Sequence, residues 1–158
     1  MRLALVPVIA VVALWLCAAW FWPHLPARIP MHFDFHGTPD GFMERSPFAW
    51  FLLPSVATVL ALLFAFALPL WIRHLAATNA AYLNVPRKRD FAALDPAARV
   101  RAIEPMVGML RLVAAELVLL FTLILLGSAR VASGEWSSLP PLVVWPAVAL
   151  LLVTAFGS

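Results

Sequence analysis

The polar side chains able to do chemistry cluster in one stretch of the chain. From Met31 to His36 apolar and polar residues alternate, with Met31, Phe33 and Phe35 on one parity and His32, Asp34 and His36 on the other. A period of two marks an extended strand with one wet face. The His-x-Asp-x-His spacing suggests divalent metal ligation, because imidazole and carboxylate both bind zinc. Strand geometry limits that idea: at about 3.3 Å per residue, His32 and His36 lie about 13 Å apart, too far for one ion held at roughly 2.0–2.2 Å. Only a neighbouring pair can share an ion, with Asp40, Glu44 or His24 completing the set. The bond geometry favours another reading, in which His32 and Asp40 hydrogen-bond within the loop and hold its turn. A third reading makes His32 and His36 a pH sensor, since imidazole titrates near neutrality.

The turn itself is expected at Gly37-Thr38-Pro39-Asp40-Gly41, with Pro39 setting φ at the first central position. Upstream, Pro26 and Pro30 keep Leu25 and Ile29 out of helical conformation. A second chemical signal lies elsewhere. Arg111 and Glu116 are charges inside an apolar run, where an ionisable side chain is expensive and by default marks a functional site. Five residues apart, they are about 140° apart around a helix and do not form an i,i+4 pair. Arg111 sits near one end and can snorkel to the headgroups. Glu116 must be protonated, paired with another helix or open to a water-filled cavity. Ser55, Thr58, Thr122, Thr154 and the indole N–H groups are the polar company available to it.

The elements that position these residues are membrane helices. The chain of 158 residues is 64% hydrophobic and 12% charged, so a soluble globule of this size has too few charges to cover its surface. Soluble enzymes, disordered tails, coiled coils and disulfide-stapled domains are excluded. Four apolar runs, near 3–22, 49–72, 106–129 and 139–156, approach the ~20 residues that cross a bilayer core as a helix. Pro146 in the fourth is expected to kink it without breaking it.

Cytoplasmic loops carry the excess of Lys and Arg. The 73–105 connection holds Arg73, Arg87, Lys88, Arg89, Arg99 and Arg101, the 23–48 connection Arg28 and Arg45, and the 130–138 connection Arg130, with Arg2 at the start. Both termini are therefore expected in the cytoplasm. The net charge of +3 is a matter of topology and not a nucleic-acid face. Trp20, Trp22, Trp50 and Trp136 would then anchor the outer interface and Trp71 the inner one. The first run exceeds a signal h-region of about 7–15 residues and reads as a retained helix. Cys17 stands alone, so no internal disulfide or cysteine metal site is possible. In the inner loop, Asp95 before Pro96 reads as an N-cap with proline at the first helical position, opening a short helix through Ala98, Val100 and Ile103. The Arg87-Lys88-Arg89 cluster beside it faces headgroups and anchors the topology.

The loop residues Leu25, Pro26, Ile29, Pro30, His32, Phe33, Gly37, Pro39, Asp40 and Gly41 resemble the signature of the bacterial membrane domain of unknown function 1648, found at the N-terminus of SdpI-type immunity proteins. Asn84, Pro86 and Lys88 are similar to an Asn-x-Pro-x-Lys region of short stand-alone members, and the resemblance covers roughly residues 1–130. His36 stands where the family pattern has no histidine. The characteristic second half of SdpI proteins is not seen after residue 130. The resemblance implies a polytopic protein of the bacterial cytoplasmic membrane, whose SdpI-type relatives confer resistance to a toxic peptide and signal its presence to a regulator.

The expectation is thus an all-α integral membrane protein, a single membrane domain over residues 1–158, with four transmembrane helices and a short ordered outer loop over residues 23–48. No catalytic signature and no cofactor is expected. The partners expected are the bilayer, a membrane-active peptide or a cytoplasmic regulator, and further copies of the chain through its Ala- and Leu-rich faces. The other classes are a proton- or metal-coupled transport component using Glu116 and His32, and a membrane metal-binding protein using the loop His/Asp cluster.

Overall fold

The computed structural model describes residues 2–156, without the Arg2 side chain; the Arg2 charge of the topology argument and both chain ends lie outside the described residues. Helix α1 (Arg2–Phe21) leads through a short turn into strands β1 (Arg28–Phe33) and β2 (Pro39–Glu44), which pair as an antiparallel hairpin. Helix α2 (Pro47–Thr78) returns across the bundle. Two short helices, α3 (Lys88–Ala93) and α4 (Pro96–Ala102), precede α5 (Glu104–Ala132), and α6 (Pro141–Phe156) follows a turn. The hairpin caps one end of the bundle and the 79–103 segment the other.

Leu3–His24, Pro47–Thr78 and Pro96–Ala132 are long and apolar enough to cross a membrane, so the chain is a membrane protein by length and composition. Helix α6 has 16 residues and is about 24 Å long, short of a hydrocarbon core near 30 Å. It runs through Pro146 unbroken. The second helix extends to Thr78 and the third starts at Glu104, so the loop between them is shorter than the 73–105 expected. Within α2, Leu63–Ala67 forms a π turn just before Pro69. A proline has no N–H to donate back, and a wider turn accommodates the mismatch.

The helices meet on small residues. Ala18 of α1, Ala57 and Ala61 of α2 and Ala129 of α5 are buried with Leu14, Val118 and Leu125, as expected where lipid-embedded helices associate by close van der Waals packing. The Trp15 indole donates to Thr58 Oγ1 at 2.9 Å between α1 and α2. At the far end, the Asp95 carboxylate accepts from Ala98 N at 2.9 Å and caps α4. That bond holds the Asp95 carboxyl below its ordinary value, so the cap is complete at neutral pH and is lost as pH falls through the lowered value. Asp95→Ala is expected to speed amide exchange across 96–102 at neutral pH, Asp95→Asn much less. Hydrogen–deuterium exchange measures both.

The loop departs from the expected all-α class and from the expected register. Strand β1 ends at Phe33, and the chain turns over 34–38, ahead of the position expected. Asp34 Oδ1 accepts from both His36 N and Thr38 N at 2.8 Å, while Asp34 N donates to Thr38 O at 2.9 Å. An aspartate that satisfies the backbone of its own turn outcompetes continued alternation. Phe35 and His36 therefore leave the strand, and Pro39, Asp40 and Gly41 belong to β2 instead of the turn. Pro39 opens β2, the strand position where a missing N–H is tolerated.

Candidate functional site

The hairpin sits on the bundle through its apolar face. Ile29 and Pro30 are buried, and Pro30, Met31 and Phe33 lie against Ala49, Trp50, Leu53 and Leu125. Arg45 Nη1 donates to Leu25 O at 2.6 Å, and the Arg45 guanidinium lies 5.5 Å from the Trp22 ring centre, closing the hairpin base. Trp50 is not an interface anchor as expected. It is 4% exposed, and its indole donates to Ala18 O at 2.8 Å.

On the wet face, His32 Nδ1 donates to Asp40 Oδ1 at 2.5 Å across the two strands. The carboxylate can only accept, so Nδ1 carries the hydrogen of this bond. His32 pairs with Gly41 in the strand register, and a Cβ on Gly41 would lie 2.9 Å from the His32 Cβ. Gly41 is what lets the strands close under the histidine. The two side chains are 72% and 50% exposed, so the pair contributes little to stability. It is a presented group, not a structural staple.

The turn is seated on the start of α6. Leu139 N donates to Gly37 O at 2.7 Å. Gly37 has φ +81, and a Cβ there would lie 2.0 Å from the Leu139 carbonyl oxygen. The Leu139 side chain fills the space left by Gly127 of α5, where a Cβ would be 2.0 Å from its Cδ1. Two glycines thus make room for one leucine, and hairpin, α5 and α6 meet there. Beside this junction opens a cleft of about 420 Å³, lined by His32, Phe33, Asp34, Phe35, Leu139 and Trp145 among others. Phe35 and Trp145 meet at 5.1 Å between ring centres. Its size is that of small-ligand pockets. With aromatic walls, one imidazole and one carboxylate, the cleft suits an apolar or aromatic group carrying a positive charge.

The structure therefore gathers Phe33, Gly37, His32, Asp40 and Gly41 at one site, with Pro30 beneath and Pro39 opposite Phe33. It separates the proposed metal ligands. Asp34 is occupied by its turn, the His36 ring packs edge-on against Phe35 at 5.9 Å, and among the described residues no three His, Cys, Asp or Glu side chains gather to hold a metal. Leu139, Trp145 and Gly127 were not singled out in the sequence. The Pro140-Pro141 pair is the one local sign that a helix begins beside Leu139.

The intramembrane charges lie apart from this cleft. Thr154 Oγ1 of α6 donates to Glu116 Oε1 at 2.8 Å. Glu116 Oε2 and Arg111 Nε are buried without a hydrogen-bond partner among the described residues. Asn84 and Pro86 line a cavity at the other end, and Lys88 is exposed at the start of α3.

A bundle with three membrane-length helices, capped at one end by a bulged hairpin, defines a helical membrane protein with an ordered end loop. Residues 8–58, which span most of α1, the hairpin and the first part of α2, match the model of the family described as a domain of unknown function (DUF1648). The match holds the whole hairpin motif but ends before Asn84, Pro86 and Lys88, a narrower span than the resemblance over 1–130. No curated protein and no solved structure matches the chain.

Proposed function

We propose that this is a four-span protein of the bacterial inner membrane, both termini cytoplasmic, whose outer hairpin cleft intercepts a membrane-active peptide, as in SdpI-type immunity. The observation that carries this reading is the cleft between the hairpin turn and α6, with Asp34 and the Asp40-bonded His32 at one side and Phe35 and Trp145 at the other. A cationic, aromatic-rich peptide entering the outer leaflet presents the side chains that such a cleft receives. Short α6 crosses by local bilayer thinning. No catalytic role is assigned. Further copies of the chain and a cytoplasmic regulator are compatible partners.

The test is a deletion strain challenged with envelope-active peptides. Restoring the intact gene is expected to restore tolerance. His32→Ala, which leaves an exposed position and an intact fold, is expected to lower the tolerated peptide concentration about tenfold. Unchanged tolerance in the deletion strain would count against the reading. The topology is checked with Thr38→Cys and Ala92→Cys in a Cys17→Ser background. An impermeant thiol reagent on intact cells is expected to label position 38 and spare position 92.

A second reading, a proton-coupled transport component, is favoured by the partly buried Glu116 carboxyl, which bridges α5 and α6 through Oε1 and leaves its buried Oε2 without a partner among the described residues. On that reading Glu116→Gln abolishes transport in reconstituted vesicles while preserving the Thr154 bond. Transport at the intact rate would reject it.

A further inference from the structure

The end of the bundle opposite the hairpin has a small core of its own. Ala76, Ala80, Leu83, Phe91, Ile103 and Val107 are buried together. Arg73 donates from Nε and Nη2 to the two Glu104 oxygens at 2.8 and 2.7 Å, tying α2 to the start of α5. Bidentate pairing of this kind fixes geometry as well as charge. Beside that core lies a cavity of about 330 Å³, lined by Asn84, Val85, Pro86, Phe91, Ile103 and Met106 among others. Its walls are apolar apart from the Asn84 amide and the backbone.

Cations stand at its edge. Arg87, Lys88 and Arg89 are all exposed and fall between Pro86 and Phe91, two residues of the wall. The chain leaves the wall by a left-handed turn at Arg87, φ 50 and ψ 48, the one positive-φ residue other than glycine among the described residues. Glycine or asparagine takes that conformation readily, and a long side chain does so under strain. Here the position holds a cation in spite of the backbone. Helix α4 carries Arg101 and Arg99, whose Nη2 donates to Ala77 O at 3.3 Å, and the acidic side chains of the segment are Asp90 on α3 and Asp95, which is engaged as a helix cap.

The cavity lies at the end of the bundle opposite the hairpin, between the 84–103 segment and the first turn of α5, the place along a membrane-length helix where its apolar span meets the headgroups. An apolar hollow at that depth, edged by consecutive cations, is complementary to a molecule that is an anion at one end and a hydrocarbon at the other. We propose that this cavity is a binding site for an anionic diacyl phospholipid, with its phosphate held by Arg87, Lys88 and Arg89 and the upper part of one acyl chain against Val85, Phe91 and Met106. Basic pockets at the ends of membrane helices recognise such headgroups by the same combination of charge and burial. A soluble phosphate lacks the apolar half, and a zwitterionic lipid lacks the net charge.

The full chain in detergent micelles, doped with phosphatidylglycerol or with phosphatidylcholine of the same acyl chains, is read by native mass spectrometry. One phosphatidylglycerol per chain is expected, retained at least about tenfold better than phosphatidylcholine. Arg87→Gly relaxes the turn while removing its charge. Combined with Lys88→Gln and Arg89→Gln it is expected to weaken phosphatidylglycerol retention about a hundredfold. Met106→Trp fills the cavity, leaves every charge in place, and is expected to lose the lipid too. Circular dichroism checks that each variant keeps its helix content; should the triple variant unfold, Met106→Trp and the two-lipid comparison still decide. Equal retention of phosphatidylcholine, retention unchanged in Met106→Trp, or displacement of the lipid by soluble glycerol phosphate would each overturn the proposal.

Discussion

Gly37→Ala is expected to destabilise the protein far more than Gly134→Ala, although the two glycines have nearly the same backbone, φ +81 and +78. Gly134 ends α5, with Gly134 N donating to Val131 O at 3.1 Å and Glu135 N to Arg130 O at 3.0 Å, the paired bonds of a left-handed helix stop. A Cβ there meets nothing within 4 Å. Alanine at 134 therefore carries only the left-handed penalty, about 1 kcal/mol. Gly37 carries the same penalty and more, because its Cβ would lie 2.0 Å from the Leu139 carbonyl oxygen. Backbone cannot swing aside as a side-chain tip can. The turn must lift off α6, and the 2.7 Å bond from Leu139 N to Gly37 O goes with it. Adding a lost hydrogen bond and disrupted packing brings the total to the order of 3 kcal/mol. Thermal unfolding in detergent measures the two variants side by side, and amide exchange at Leu139 separates local lift-off from global loss. Equal destabilisation by both substitutions would mean that the Gly37–Leu139 contact does not hold the turn.

That contact also marks where the sequence stops being readable. Its partners are a hundred residues apart, and neither the hairpin glycine nor the leucine is unusual in its own neighbourhood. What is written locally could be read: long apolar runs, the Asp95 cap before Pro96, and an extended segment near His32. Alternation from Met31 to His36 points to a strand that ends too late because it is a pattern of side chains, whereas the turn is decided by one carboxylate, Asp34, accepting two backbone N–H groups. The His32–Asp40 bond was legible because the two residues are close in sequence and a turn had to lie between them. Glu116 could be flagged as needing a partner, but nothing near it selects Thr154 from the other hydroxyls in the helices. The cleft was invisible for the same reason. One wall comes from α6 and the Leu139 that precedes it, and only the folded chain brings Trp145 against Phe35.

Tryptophan makes the point in a form that a measurement can check, since Trp20 and Trp50 look alike in the sequence, each at the hairpin end of an apolar run. In the fold Trp20 is 72% exposed and Trp50 is 4% exposed. Trp50 fills the seam where α1, α2 and the hairpin meet, among Ala18, Leu25, Ile29 and Ala49. Its N–H reaches the Ala18 carbonyl at 2.8 Å, so the ring is both the packing of that seam and a polar tie across it. Trp50→Ala leaves a cavity that helices joined through a hairpin cannot close, at a cost of about 3–5 kcal/mol. Trp50→Phe keeps most of the bulk and removes the donor, for about 1–2 kcal/mol. Trp20→Ala removes an exposed ring and is expected to stay within about 0.5 kcal/mol. The hairpin is seated on Trp50, so the Ala variant should also loosen the His32–Asp40 strand pair, read as faster exchange of the β1 and β2 amides with those of α6 unchanged. A Trp50→Ala protein as stable as Trp20→Ala would place the indole in lipid and remove the floor assigned here to the hairpin site.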